Sequence, residues 1–189
     1  MGTTEFMTHL VTSPDQIQRL LRLVSDFISD WIELQIESFP SIDGILILDD
    51  LVRFLGEPEL KVFVLPYLKD IFTKFDLKSR FFHNDAHGLV CAPFLAEAGV
   101  NMFNFSFEHS INEMLKLTKE KVVLVGNLPP RDVLAAATPE KVYQDTCKMY
   151  KSALNKDRIL WSCGGGMPQD VSTENIKSFI RAINECHSQ

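Results

Sequence analysis

Side chains that could do chemistry stand at the ends of five short apolar runs in this chain. Carboxylate, imidazole, amide, hydroxyl and thiol groups are all present among them: Asp49, Asp50, His83, Asp85, Asn104, Ser106, Asn127 and Cys163. If the runs are strands of one parallel sheet, their carboxyl ends meet at the edge where α/β proteins carry their reactive groups. We therefore expect one shared site, although strand ends also meet water and can be polar for that reason alone.

His83 and Asp85 are separated by one residue, so on a strand their side chains point the same way. An imidazole and a carboxylate on one face could bind zinc, or could act as a general base with its orienting partner. They could also form a hydrogen-bonded pair without any ligand. Cys163 could add a thiolate ligand, or it could pack as a small apolar side chain.

Three consecutive glycines, Gly164 to Gly166, follow Cys163. Glycine allows positive φ angles and a close approach of the backbone to a ligand, so this loop is a candidate binding element. It is not a Walker A loop, because no Lys-Ser/Thr pair follows, and it lacks the spacing of a dinucleotide fingerprint.

Five strand–helix units are predicted to position these groups. The strands are expected at residues 45–48, 80–85, 102–105, 122–125 and 158–162, and the helices at 17–39, 58–75, 92–98, 110–117, from 138 onward and at 173–185. Ser13 and Gln16 predict a capping box at the start of the first helix. Strict alternation with short connections favours parallel strands with crossover helices, which is an α/β fold.

Composition favours one cytoplasmic α/β domain spanning residues 1–189. The chain is 46% hydrophobic, which allows one sizeable core, and its formal net charge of -6 disfavours binding to nucleic acid or to an anionic membrane. The four cysteines are widely spaced and predict reduced thiols rather than a disulfide framework. We see no signal peptide and no apolar run near the roughly 20 residues of a transmembrane helix.

Several motifs occur in an order and spacing that resemble one enzyme family. They are Ile45-Leu46-Ile47-Leu48-Asp49-Asp50, Phe63-Val64-Leu65-Pro66-Tyr67-Leu68, His83-Asn84-Asp85, Leu95-Ala96-Glu97-Ala98-Gly99-Val100, Gly126-Asn127-Leu128 with Pro130, Thr138-Pro139-Glu140, and Cys163-Gly164-Gly165-Gly166-Met167-Pro168 followed by Thr173-Glu174-Asn175-Ile176. From about Gly2 to Cys186, the chain resembles the C-terminal half of the uroporphyrinogen decarboxylase superfamily.

The resemblance implies a fold and two kinds of chemistry. Family members are (β/α)8 TIM barrels with the site at the C-terminal face, so this chain would be a partial barrel of about five C-terminal strand–helix units. The family includes uroporphyrinogen decarboxylases, which use no cofactor. It also includes methyltransferases that use zinc to move a methyl group between a corrinoid protein and a thiol. The residues with which the decarboxylases grip the porphyrinogen would lie before Met1.

The departures from the family pattern favour methyl transfer over decarboxylation. The site serine of the decarboxylases aligns with Asp50 and their late histidine aligns with Gly165, and an anionic Asp50 suits a polycarboxylate substrate poorly. The His-x-Cys motif of the methyltransferases becomes His83-Asn84-Asp85, and their later cysteine aligns with Gly165, two residues after Cys163. A zinc site made by an imidazole, a carboxylate and a thiolate remains chemically sound.

The prediction is therefore zinc-dependent methyl transfer between a corrinoid and a thiol. The alternatives are decarboxylation in porphyrin biosynthesis and a non-catalytic role through association. The candidate residues are Asp50, His83 and Asp85 for catalysis; Asp49, Asn127, Gly164 and Gly165 for substrate binding; and His83, Asp85 and Cys163 for the metal.

Half a barrel also predicts partners. Five strands, against the eight of a closed barrel, leave two open sheet edges, which are templates for pairing with another chain. We expect a homodimer or pairing with an N-terminal half, a small-molecule or tetrapyrrole-type substrate, and a corrinoid protein if the chemistry is methyl transfer. The chain alone is expected to be inactive.

Overall fold

Five parallel strands form one sheet in the order in which they occur along the chain. The computed structural model describes residues 2–84 and 89–188. The strands are β1 (Gly44–Leu48), β2 (Ser79–Asn84), β3 (Met102–Phe105), β4 (Val123–Leu128) and β5 (Ile159–Cys163). This confirms the predicted α/β class and all five predicted strands, with ends shifted by a few residues at most.

Seven α-helices connect and flank the strands within the described residues. They are α1 (Thr3–Thr12), α2 (Pro14–Ser38), α3 (Glu57–Phe63), α4 (Leu65–Lys74), α5 (Ile111–Leu117), α6 (Pro139–Ser152) and α7 (Thr173–His187). Short 3-10 segments lie at Leu51–Phe54, Ala92–Phe94 and Lys156–Arg158, and a π-helical turn spans Pro130–Ala135. No helix of the described residues combines the length and hydrophobicity that crossing a bilayer requires.

Three predicted helical features differ in the structure. The single helix expected at 58–75 is two helices that meet at Val64, because Pro66 lacks the N–H that would continue the first one. The segment expected to be helical at 92–98 contains only a short 3-10 turn, Ala92–Phe94, and Pro93 lies within this turn. The Ser13 side chain makes no cap hydrogen bond; instead its carbonyl accepts from the backbone N–H groups of Gln16 and Ile17.

One face of the sheet packs against helices. Phe82, Phe103 and Phe105 point to this face, where their rings form a stacked series with centroids 6.1 Å and 5.9 Å apart. All three are fully buried, as is Leu124 beside them. The alternation of strand side chains sends these aromatic residues to the helices and their neighbours in sequence to the opposite face. The main core of the protein therefore lies between the sheet and its outer helices.

The opposite face, which we call the open face, is defined by the strand register. One row across it pairs Leu48, His83, Asn104, Val125 and Leu160 as successive Cα partners, and the row below pairs Leu46, Phe81, Met102 and Val123. Leu48 is 66% exposed and Leu160 is 52% exposed. Parallel sheets are normally covered on both faces, so this apolar exposure is unusual for a folded α/β chain.

Helix α2 continues the exposed apolar surface past the edge of β1. Few side chains of α2 are buried towards α4, and two of these are the small residues Ser25 and Ser29. A stripe at helical spacing is 37–68% exposed instead: Leu20, Leu23, Val24, Phe27, Trp31 and Leu34. A groove of about 330 Å³ between Trp31 and the β1 residues Gly44 to Ile47 joins this stripe to the sheet.

These surfaces predict that the purified chain associates through the open face and the sheet edges. Leu48→Lys should weaken the association by roughly tenfold or more, because a buried, unpaired ammonium is costly. Leu154→Lys is the matched control, since Leu154 is 84% exposed in the α6–β5 connection, away from these surfaces. Light scattering over a concentration series measures both variants. A monomeric wild type at every concentration would contradict the prediction.

Candidate functional site

His83 lies on the open face at the carboxyl end of β2. Its Cα partners are Leu48 on one side and Asn104 on the other, and its side chain is half-buried. Its backbone carbonyl accepts a hydrogen bond from Asp49 N–H at 3.1 Å, which extends the β1–β2 pairing beyond the end of β1. The imidazole is thus held on a rigid strand and faces the side of the sheet that no helix of the described residues packs against.

The carboxamide of Asn104 organises the edge of the sheet beside His83. Asn104 is 3% exposed, and its Nδ2 donates to the carbonyls of Val125 at 2.7 Å and Cys163 at 3.2 Å. Its Oδ1 accepts from Gly165 N–H at 3.2 Å. One side chain of β3 therefore ties together the ends of β4 and β5 and the glycine loop. The sequence placed Asn104 among the polar strand ends, but its linking role depends on three separate segments.

The glycine loop approaches its neighbours too closely for a side chain. A Cβ added to Gly164 would lie 2.5 Å from Asn127 Oδ1 and 2.8 Å from Phe107 N. Gly165 has a φ of +90°, in the left-handed region that favours glycine. Two of the three predicted loop glycines are therefore required by the local backbone, whether or not a ligand is present.

Asn127 joins β4 to the loop that follows β3. Its Nδ2 donates to the carbonyl of His109 at 2.6 Å, and its backbone N–H donates to Met149 Sδ at 3.4 Å. Its buried Oδ1 has no hydrogen-bond partner among the described residues. Asn127 also lines a cavity of about 480 Å³ between that loop and α6. Sequence reasoning missed this cavity, because its walls come from segments far apart in the chain.

The two aspartates after β1 differ in their surroundings. Asp49 Oδ1 accepts from Leu51 N–H at 2.7 Å and so begins the 3-10 segment that follows. Burial raises the pKa of the Asp49 carboxyl, against the opposing effect of the hydrogen bonds that it accepts from the backbone. Asp50 is exposed. A local structural role therefore accounts for Asp49, whereas Asp50 is accessible to solvent.

Cys163 lies on the other side of the sheet from His83. It pairs with Leu128, and both pack with Leu134 and Val142 in a helix-side cluster. Its Sγ donates to the carbonyl of Gly165 at 3.3 Å, and burial raises the pKa of the thiol. The remaining predicted ligand, Asp85, lies outside the described residues.

Within residues 2–84 and 89–188, no three His, Cys, Asp or Glu side chains are grouped so that they could hold a metal ion. His83 and Cys163 project from opposite faces of the sheet, so the described donors do not fit the predicted three-ligand zinc site. His83 is the one of those ligands that the structure places on the open face.

The fold and the site together define part of a parallel (β/α) barrel whose polar groups collect at the carboxyl end of its strands. The sequence model of the uroporphyrinogen decarboxylase (URO-D) family matches residues 1–186. The chain therefore belongs to the URO-D family, as the motifs of the sequence indicated.

Individual relatives are similar over about half of their own length. A uroporphyrinogen decarboxylase of Chloroherpeton thalassium is 28% identical over 180 residues, which cover 91% of this chain and 49% of the relative. One from Chlorobaculum tepidum is 25% identical over 182 residues, which cover 91% and 50%. The solved structure of a methyltransferase from Methanosarcina mazei matches with a TM-score of 0.85 at 15% identity, over 99% of this chain and 54% of that one. The last match shows the shared fold and supports a partial TIM barrel.

Gly164→Ala should destabilise the protein by about 1–3 kcal/mol, because the new Cβ would meet backbone and carboxamide atoms that cannot move freely. Gly166→Ala is the matched control two residues away, where a Cβ would meet no described atom within 4 Å. The control should change the free energy of unfolding by less than about 0.5 kcal/mol. Urea denaturation followed by circular dichroism measures the difference, and equal midpoints for the two variants would contradict the packing argument.

Proposed function

We propose that this chain forms the C-terminal half of an active-site barrel in which His83 is the acid–base residue of a carboxy-lyase. The observation that carries the proposal is the position of His83: an imidazole on the open face, in the same row as Asn104, at the carboxyl end of five parallel strands. This is the end at which barrel enzymes carry out their chemistry. The relatives named as uroporphyrinogen decarboxylases support a tetrapyrrole-type substrate.

Decarboxylation requires a proton donor. When a carboxylate leaves as CO2, the bond electrons stay on the carbon, which then takes up a proton. An imidazolium can donate that proton and an imidazole can recover it. The Asn104 hydrogen bonds fix the strand ends around His83, so the donor is held in one position relative to the glycine loop.

The complementary half is proposed to be a three-stranded N-terminal barrel segment, whether on the same polypeptide or on a separate one. Five strands are described here and a closed barrel of this type has eight. Adding three strands would pair the free edges of β1 and β5 and cover Leu48 and Leu160. A second copy of this chain would bring five strands, which is more than the three that a closed barrel still needs.

The decarboxylase proposal is tested by supplying the missing half. The chain is co-expressed with the part of the Chloroherpeton thalassium relative that it does not match, which we expect to be the N-terminal half. We expect the purified pair to decarboxylate uroporphyrinogen, and His83→Ala to lower the rate by a factor of about 10² or more without dissociating the pair.

His9→Ala, in α1 and outside the site, is the matched control and should keep full activity. A pair that forms but gives no product would rule out the carboxy-lyase. An active His83→Ala pair would rule out His83 as the acid–base residue.

A second candidate is methyl transfer between a corrinoid and a thiol. Asp50 favours it, because an exposed carboxylate at the mouth of the site would repel a substrate rich in carboxylates. A zinc ion in such an enzyme would lower the pKa of the bound thiol. Of the three predicted ligands, His83 is the one that lies on the open face among the described residues, and no step of the proposal depends on the metal.

Metal analysis of the same purified pair tests the second candidate. If methyl transfer is the function, the wild type should retain about one zinc per chain after dialysis, because a protein site of several ligands releases zinc slowly. His83→Ala should lose it, and His9→Ala should keep it. A wild type without zinc would rule out the zinc-dependent reaction.

A further inference from the structure

Two of the four cysteines meet between α6 and α7. Cys147 and Cys186 are 39 residues apart in the sequence, and their Sγ atoms lie 2.7 Å apart. Both are free thiols and both are partly exposed, whereas Cys91 and Cys163 are buried. The contact lies on the helix side of the sheet, away from His83, and neither candidate function uses it.

Contacts that do not involve the two sulfurs fix the helices around them. Tyr143 Oη donates to Glu185 Oε2 at 2.5 Å, and Tyr150 Oη lies 3.0 Å from His187 Nδ1. Ala182 is fully buried at the same interface, so its small side chain allows α6 and α7 to approach closely. The positions of the thiols are therefore set by packing on both sides of them.

The sulfur atoms need little movement to form a bond. An S–S bond is about 2.05 Å long, which is less than 1 Å shorter than the separation of the free thiols. Partial exposure gives a small thiol or disulfide reagent access to the pair. The described residues around them offer no third ligand for a metal, so chelation of an ion is not the better account.

We propose that Cys147 and Cys186 are a reversible disulfide site that links α6 to α7 by exchange with a low-molecular-weight disulfide such as oxidised glutathione. The thiolate of one cysteine attacks the small disulfide, forms a mixed disulfide and releases one thiol. The thiolate of the second cysteine then attacks the protein sulfur and releases the second thiol. The two cysteines lose two protons and two electrons, and the small disulfide takes them up as two thiols.

Burial and the contact with Cys147 raise the pKa of the Cys186 thiol, and Lys151 opposes this only in part. Because the thiolate is the attacking species, the raised pKa of Cys186 slows its attack on a small disulfide.

The linkage has a structural consequence near the glycine loop. Helix α7 follows that loop, and its Asn175 Nδ2 donates to the carbonyls of Leu134 and Ala137 in the segment after β4. A bond from α7 to α6 would restrain both segments that leave the carboxyl end of the sheet.

The test is incubation of the wild-type chain in glutathione buffers of increasing oxidised fraction, followed by intact mass measurement and peptide mapping under non-reducing conditions. We expect the loss of two hydrogen atoms per chain and one cross-linked peptide pair that contains Cys147 and Cys186. Cys91 and Cys163 should stay unmodified as internal controls. Closing a loop of this length should lower the unfolding equilibrium constant by a factor on the order of 10².

Cys147→Ser and Cys186→Ser should abolish both the cross-link and the stabilisation by oxidised glutathione. The peptide map of the wild type needs neither variant and decides the proposal even if one of them fails to fold. Stable glutathione adducts without the cross-link, a cross-link to another cysteine, or an oxidised chain no more stable than the reduced one would each overturn the proposal.

Discussion

The carboxyl end of the sheet depends on the buried carboxamide of Asn104. Its three hydrogen bonds join β3 to the carbonyls of Val125 and Cys163 and to the N–H of Gly165. Buried carbonyl and N–H groups that lose their partners are costly, so this set of bonds holds together as a unit. Because Asn104 anchors Gly165, the preceding residue of the glycine loop, Gly164, can lie within contact distance of Phe107. These hydrogen bonds also hold the row of open-face residues that contains Asn104 and His83 in a fixed position.

The two faces of the sheet are filled unequally. On the helix side, Phe82, Phe103 and Phe105 stack in a dry core, whereas Leu48 and Leu160 on the open side are more than half exposed. The hydrophobic effect therefore stabilises the helix side of the sheet, whereas the exposed apolar surface of the open face favours association.

Several polar residues at the strand ends make contacts that stabilise the fold. Asp49 begins a 3-10 turn, Asn127 holds the loop after β3, and Cys163 packs among apolar helix residues. His83 is different, because it lies half-buried on the open face, beside Asn104 in the row across the sheet. The chain belongs to the URO-D family, and in the proposed function the other residues around the reaction would come from the complementary part of the barrel.

The sequence by itself determined the α/β class, the five strands and the family, because the alternation of apolar runs with amphipathic segments repeats along the chain and the motifs are local. It also placed Asp50, His83, Asn127 and the glycines at strand ends. It did not determine which groups share a face. A strand turns its side chains by parity, so the register alone separated Cys163 from His83. The break at Val64 and the meeting of Cys147 with Cys186 likewise depend on how distant segments pack, which only the tertiary structure decides.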